Sequence, residues 1–481
     1  MWRGSPYSYA HLERLLQSHF SAPRRLFQVH ALLLTSGALS ATTAAFPYNC
    51  LIHAHLRLPS TSSTPLCAPL RLFSAMLAAG ARPNGHTFPS LLRSASASGP
   101  ETTALHAQCL RRGLTADRFV ACSLVSSYGR AGRLAHDACK VFEEMGSPDL
   151  ASANAMLDVL CIAGDLPSAR EFFERMAERD VVSWTTLVSG LSRNGCHWDA
   201  VEAFRGLLAD NNNNNNNNNR ARLALGEATL VSVLSACASL DGAEGLAAGM
   251  SIHAYVVRHG VHLTAFLGTA LIDMYGKYGK LGCCKAAFQL VREKEVCTWN
   301  ALLSALANHG KEAEALVSFN MMIVGGFSPN QITFLALLTG CARAGLVEVG
   351  LYWFEVMVAD YQVAPTMAHY GCVVDLLGRA GRFVEAVKTI ERMPFMPDAS
   401  VWGALLGASK LHGNVELVAE IGRKLVDLGP HQSDRYVTIR NIYLEDGNWH
   451  AATRMGEVMH EAGIKKTAGQ SSVVFHSTAI P

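Results

Sequence analysis

The fold class predicted for this 481-residue chain is all-α, an α-solenoid of stacked helix-turn-helix repeats. Two observations predict it. One turn signature recurs, as Tyr128-Gly-Arg-Ala-Gly-Arg-Leu134, Tyr275-Gly-Lys-Tyr-Gly-Lys-Leu281 and Leu377-Gly-Arg-Ala-Gly-Arg-Phe383. Around each lies the same pattern, a short apolar helix, a glycine-containing turn and a longer amphipathic helix ending near a Met. From Trp299 to Gly326 the first helix carries Leu302, Leu303 and Leu306, the turn is Asn308-His309-Gly310, and the second helix carries Ala313, Leu316, Phe319 and Met322. Spacing of three to four residues is the helical period. One anchor per first helix, at 49, 89, 122, 154, 185, 231, 269, 300, 335, 371, 403 and 437, gives steps of 40, 33, 32, 31, 46, 38, 31, 35, 36, 32 and 34. At that period each hairpin buries its apolar face only against its neighbours, and chain length is no count of domains. A hydrophobic content of 49% against 17% charged residues suits helices buried within such a stack.

Taken in order, residues 1–100 hold eight Arg, no Lys and one acidic residue, Glu13, among many Ser, Thr and Ala, the composition of an organelle transit segment. Gln28-Val-His-Ala31 with Gly37 also matches Leu105-His-Ala107 with Gly113 and Ile252-His-Ala254 with Gly260. An organelle-targeting segment over 1–44 therefore overlaps a degenerate repeat. Repeats fill 45–398. The step of 40 contains Pro59-Ser-Thr-Ser-Ser-Thr-Pro65 and the step of 46 the nine-Asn run 211–219; both read as loops on a solenoid edge, the second a disordered Asn-rich insert at 210–222. No run of about 18 uninterrupted apolar residues occurs, so no membrane span is expected. The thirteen Cys never form C-x-x-C, and those such as Cys161, Cys237, Cys341 and Cys372 lie in apolar helical stretches. They read as reduced, small core residues rather than zinc ligands or disulfides.

Val181-Val-Ser-Trp-Thr-Thr-Leu-Val188, Val296-Cys-Thr-Trp-Asn-Ala-Leu-Leu303 and Ala45-Phe-Pro-Tyr-Asn-Cys-Leu-Ile52 resemble first helices of pentatricopeptide repeats. The tetratricopeptide pattern W-x2-L-G-x2-Y is not matched in them. Residues 45–84, 181–226 and 296–330 resemble standard repeats; 85–117, 227–264 and 331–366 resemble the long variant; 118–149, 265–295 and 367–398 resemble the short variant; 150–180 is an extra short-like unit. This order is similar to the plant PLS subfamily. Pro365-Thr-Met-Ala-His-Tyr370, Asp375-Leu-Leu-Gly-Arg-Ala-Gly-Arg382 and Met393-Pro-Phe-Met-Pro-Asp398 resemble its last short repeat. Val401-Trp-Gly-Ala-Leu-Leu-Gly407 with His412-Gly-Asn-Val415, then Tyr436 through Asn441-Ile-Tyr443 with Gly463-Ile-Lys-Lys466, look like its two extension motifs, over 399–466. The tail 467–481 follows the family's Cys-Ser-Trp-Ile-Glu stretch only loosely, as Gln470-Ser-Ser-Val-Val-Phe475, and reads as truncated. The resemblance covers about 45–475 and implies a right-handed superhelix.

It also implies one RNA base per repeat, taken from a single strand and read by the fifth and last residues of the repeat. The candidate pairs are Asn49 with Asn84, Cys122 with Asp149, Asn154 with Asp180, Thr185 with Gly226, Thr269 with Glu295, Asn300 with Asn330, and Gly371 with Asp398. The family reads Asn with Asp as favouring uracil, so Asn154 with Asp180 is the best case. The two Asn–Asn pairs are expected to favour pyrimidines, cytosine first, and Thr269 with Glu295 resembles a purine reader. Cys122 and Gly371 are weak readers, Gly226 offers no side chain, and the long repeats carry Pro89, Val231 and Leu335, which cannot read a base edge by hydrogen bonding. Phe46, Phe119, Val182 and Phe266, three positions before their readers, would sandwich bases. A single Asn near a helix start is also an N-cap; recurrence at one repeat position is what favours a reader.

Net charge is only +2, well short of a strongly basic nucleic-acid binder. Arg258, Arg379, Arg382, Lys465 and Lys466 are candidate phosphate contacts, with solvated helix faces as the equal alternative. Catalysis is not expected. Some family members append a cytidine-deaminase domain that needs H-x-E and P-C-x-x-C to hold zinc; here His11-Leu-Glu13 stands at the wrong end with no Cys pair, and no P-loop, G-x-S-x-G or H-E-x-x-H occurs. No metal or cofactor is expected. The expected function is sequence-specific binding of single-stranded organellar RNA at C-to-U editing sites, with a deaminase-domain protein supplied in trans through 399–466. The alternatives are an RNA-binding factor for transcript stability, processing or splicing, and a helical-repeat protein-protein scaffold. The mitochondrion is the expected location, with the chloroplast as alternative.

Overall fold

The computed structural model describes residues 45–56, 67–95, 99–131, 135–216, 225–428 and 433–464, with residues 28 and 31. The expectations for the segment 1–44, the insertion Pro59–Pro65, Lys465, Lys466 and the tail 467–481 lie outside these residues. The described residues form a succession of helices and divide into two compact units, at Ala248 and Gly249. The first unit runs α1 (Phe46–Leu56), α2 (Cys67–Ala78), α3 (Thr87–Ala95), α4 (Gly99–Arg111), α5 (Arg118–Arg130), α6 (Ala135–Glu143), α7 (Leu150–Ala163), α8 (Leu166–Arg175), α9 (Val181–Arg193), α10 (His197–Asn216) and α11 (Glu227–Ala238). The division falls within α12 (Gly242–Arg258). The second unit continues with α13 (Ala265–Lys277), α14 (Leu281–Leu290), α15 (Val296–Asn308), α16 (Glu312–Val324), α17 (Gln331–Ala344), α18 (Val347–Ala359), α19 (Met367–Arg379), α20 (Phe383–Glu391), α21 (Ala399–Leu411), α22 (Val415–Leu428), α23 (Ser433–Glu445) and α24 (Trp449–Glu461).

Odd-numbered helices open the repeats and even-numbered helices close them. Within each unit a first helix packs on its own partner and on the first helices before and after it, as α7 does on α5, α8 and α9 and α15 on α13, α16 and α17. First helices are therefore sandwiched, which accounts for their apolar composition. In α15, Leu302, Leu303 and Leu306 are buried as expected, and Gly310 closes the turn with φ +65. In α16 Phe319 and Met322 are buried as expected, with Ala315 beside them, whereas Ala313, in the first turn after Glu312, is exposed and Leu316 half-buried. In the second unit one core runs from Leu338 through Val374, Leu377, Trp402 and Leu405 to Ile439 and Ala452.

The glycines of the turn signature divide between two tasks. Gly129, Gly276 and Gly378 lie inside first helices, where a Cβ would meet the next first helix: Val159 for Gly129, Ala305 Cβ at 2.8 Å for Gly276, and Ala408 Cβ at 2.6 Å for Gly378. The second glycine makes the turn, with φ +69 at Gly279 and +73 at Gly381, a region that costs a residue with Cβ about 1–2 kcal/mol.

The Asn insert departs from a loop over 210–222. Its first part, Asn211–Asn216, prolongs α10 as helix. Once a helix is nucleated each added residue contributes a hydrogen bond, so extension is far easier than initiation. The free cysteines follow the sequence reading where they are buried: burial pushes the thiols of Cys161, Cys237 and Cys341 up to about 11. No helix among the described residues is long and apolar enough to cross a membrane.

Candidate nucleic-acid interface

The last residue of a repeat is the N-cap of the next first helix. Asp149 accepts the N–H of Ser152 at 2.9 Å and its hydroxyl at 2.7 Å; Asp180 accepts the N–H of Ser183 at 2.8 Å; Asn330 accepts those of Ile332 and Thr333 at 3.0 and 3.2 Å; Asp398 accepts those of Ser400 and Val401 at 2.9 and 3.2 Å. Such caps satisfy amides that the helix leaves unpaired. They also tune the carboxyls. The Ser152 and Ser400 hydroxyls hold Asp149 and Asp398 below the usual Asp value, and at Asp180 partial burial pushes upward but bonds from Ser183 and Asn154 outweigh it, leaving a net depression. All three are anionic at neutral pH.

The fifth residue reaches this cap. Asn49 Nδ2 donates to Asn84 Oδ1 at 3.1 Å, Asn154 Nδ2 to Asp180 Oδ1 at 3.2 Å, and Asn300 Nδ2 to Asn330 Oδ1 at 3.1 Å. The two positions paired by sequence offset are thus in direct contact. In each case the amide oxygen accepts a hydroxyl from the next repeat: Thr87 at 2.8 Å, Ser183 at 2.7 Å and Thr333 at 2.7 Å. A carboxamide so held keeps one N–H and one oxygen lone pair unspent, one donor and one acceptor. Asn154 and Asn300 are only 8% and 5% exposed, so what remains open to a ligand is an edge rather than a whole side chain.

The other pairs differ. Thr185 and Thr269 each give their hydroxyl proton to their own helix, at Val181 O (2.6 Å) and Ala265 O (2.7 Å), and so retain acceptor capacity only. Glu295 is exposed at the start of α15, and Gly226 caps α11 without a side-chain bond. The Cys122 sulfur lies 3.9 Å from Ala151 O, and Gly371 has Asp398 as the cap of the following helix without an amide to meet it.

The second-position residues stand in solvent. Phe119 is 61% exposed, Phe266 60%, Val182 56% and Phe46 44%, and the Arg118 guanidinium lies 4.8 Å from the Phe119 ring centroid. Exposed large apolar groups thus recur in each unit at one repeat position, three residues before the fifth. Ile332, 56% exposed, stands at the second position of a long repeat. It was missed in the sequence because the apolar fifth residue Leu335 set that repeat aside, although the three-residue offset marks it.

Two of the expected phosphate contacts, Arg379 and Arg382, already hold acidic partners. Arg379 Nε lies 2.8 Å from an oxygen of Asp375, and Arg382 is held at 2.6 Å by both Glu348 and Glu385. Arg379 pairs within its own helix, and Arg382 links the start of α20 to Glu348 of α18.

Comparison with known proteins agrees with the repeat geometry. Models described as PPR repeat match residues 151–181, 182–211, 332–360 and 368–395, the PPR repeat family model matches 294–343, and the E motif model matches 412–474. A pentatricopeptide repeat-containing protein of Arabidopsis thaliana is 42% identical over 461 residues, covering 95% of this chain and 96% of its own. Two others from Arabidopsis thaliana, each 34% identical, are named chloroplastic (83% of this chain, 41% of its own) and mitochondrial (76% and 64%). Among solved structures, the pentatricopeptide repeat protein PPR10 in complex with an 18-nt psaJ RNA element shares the fold, with a TM-score of 0.66 at 17% identity; the match covers 87% of this chain and spans 61% of that one.

Proposed function

The chain belongs to the pentatricopeptide repeat family, and from that premise we propose that it binds single-stranded RNA sequence-specifically in an organelle and selects cytidines for C-to-U editing. The observation that carries RNA binding is the recurrence, in both units, of an amide held against the next cap beside an exposed apolar second residue. Its unspent donor and acceptor match the paired edge of a pyrimidine, and the apolar neighbours offer faces on which unstacked bases rest. The editing role is supported by the E motif at 412–474. On this reading the deaminating zinc enzyme is a separate protein engaged through 399–466. An organellar location fits relatives named for both organelles, and the Arg-rich start favours the mitochondrion over the chloroplast.

Sequencing organelle transcripts from a plant lacking the protein tests the assignment. One or more cytidines left unedited is the expected result. Altered transcript ends or retained introns with every editing site intact would replace editing by processing or splicing, and loss of RNA cross-linking with protein partners retained would leave a scaffold.

A further inference from the structure

The third residue of each repeat divides with the fifth residue of the repeat before it. Where that fifth residue is polar or a thiol, the next repeat brings a hydroxyl: Thr87 follows Asn49, Ser152 follows Cys122, Ser183 follows Asn154, Thr229 follows Thr185, Thr298 follows Thr269 and Thr333 follows Asn300. Where the fifth residue cannot hydrogen-bond through its side chain, the hydroxyl is missing: Val120 follows Pro89, Leu267 follows Val231, His369 follows Leu335 and Val401 follows Gly371. The hydroxyls meet all three asparagines, and Thr229 lies 2.5 Å from Thr185 Oγ1.

A capping role does not account for this division. Asp117 caps α5 through the amides of Phe119 and Val120, Thr264 caps α13 through that of Leu267, and Asp398 caps α21 through those of Ser400 and Val401, each with no hydroxyl at the third position. The hydroxyl tracks the reader and not the cap. It is also buried: Thr87, Ser183, Thr298 and Thr333 have no exposed surface. At Asn154 the geometry is complete. Ser183 Oγ accepts the N–H of Asp180 at 3.2 Å and sends its proton to Asn154 Oδ1 at 2.7 Å, closer than the 2.9 Å to Asp180 Oδ1.

We infer that the third-position hydroxyl of a repeat is a positioning residue for base discrimination by the preceding repeat. Asn154 is clamped at both ends, its nitrogen by Asp180 and its oxygen by Ser183. With the oxygen released, the carboxamide turns about Cβ–Cγ and its free donor and acceptor no longer meet a base edge at fixed places. Specificity at one nucleotide thereby depends on two consecutive repeats. This inference rests on the base-reading proposed above.

The test is selection of bound sequences from a random single-stranded RNA pool by the purified full chain and by its Asn154→Ala, Ser183→Ala and Ser183→Thr variants. The position whose base preference changes in Asn154→Ala identifies the nucleotide read there. Ser183→Ala is expected to reduce the preference at that same position by about threefold to tenfold, the worth of one hydrogen bond, with other positions unchanged and Ser183→Thr restoring it. Preference unchanged in Ser183→Ala, a uniform loss at every position, or no restoration by threonine would each overturn the inference while leaving base-reading intact. If Asn154→Ala alters no position, base-reading itself fails and this inference with it.

Discussion

At the scale of single residues, the division of labour is between what is held and what is left open. The reader amides are gripped on two sides, whereas Phe119 and Phe266 at the second position touch solvent over more than half their surface. Phe119→Ala and Phe266→Ala should weaken single-stranded RNA binding by roughly 1–3 kcal/mol each, the worth of one base stacked on an aromatic ring, as read by fluorescence anisotropy. Because these side chains add little to the core, stability should stay within about 0.5 kcal/mol. Unchanged affinity, or a matching loss of stability, would remove them from the interface. The offsets of these residues were legible in the sequence, since a repeat places equivalent residues alike. The clamp was not: Ser183 and Asn154 are 29 residues apart, and only the packing of α9 on α7 brings them within 2.7 Å.

At the scale of helices, the recurrent signature that first marks the chain as a repeat array does more packing than turning. Gly378→Ala places a methyl 2.6 Å from Ala408 Cβ and should destabilise by about 1–3 kcal/mol through overpacking. Gly381→Ala meets no such obstacle, with His412 3.4 Å away, and should cost about 1–2 kcal/mol through its φ of +73. Urea denaturation separates the two when combined with Ala408→Gly, which should relieve Gly378→Ala and leave Gly381→Ala unchanged. No relief would mean that the helix approach is not limited at that contact. The sequence showed the glycines and their period, yet assigned both to the turn, because a close approach between α19 and α21 has no local signal.

At the scale of the whole chain, titration gives a common sign. Burial depresses His106, His253 and His369 below the ordinary His value, so the unfolded chain takes up protons first as pH falls. Their contribution is full above the unfolded value of about 6.5 and declines as pH drops from there towards the depressed folded values. The capped carboxyls Asp149, Asp180 and Asp398, also depressed, contribute fully above about 4 and lose that contribution as pH falls further. Thermal melts should therefore show Tm falling from pH 7 to 5 and more steeply below 4, with His253→Gln flattening the first decline; a Tm that rises between pH 7 and 5 would contradict this account. The sequence by itself determined the helical-repeat class, its period and the residues offset alike in each unit. Periodicity and turn chemistry are local properties written along the chain. Only the tertiary structure decided which of those residues touch, how the amide edges are fixed, that Arg379 and Arg382 are spent on ion pairs, and that signature glycines admit a neighbouring helix. The amide clamps, the glycine contacts and the Arg382–Glu348 pair depend on side chains from consecutive repeats meeting, and no spacing within one repeat records them.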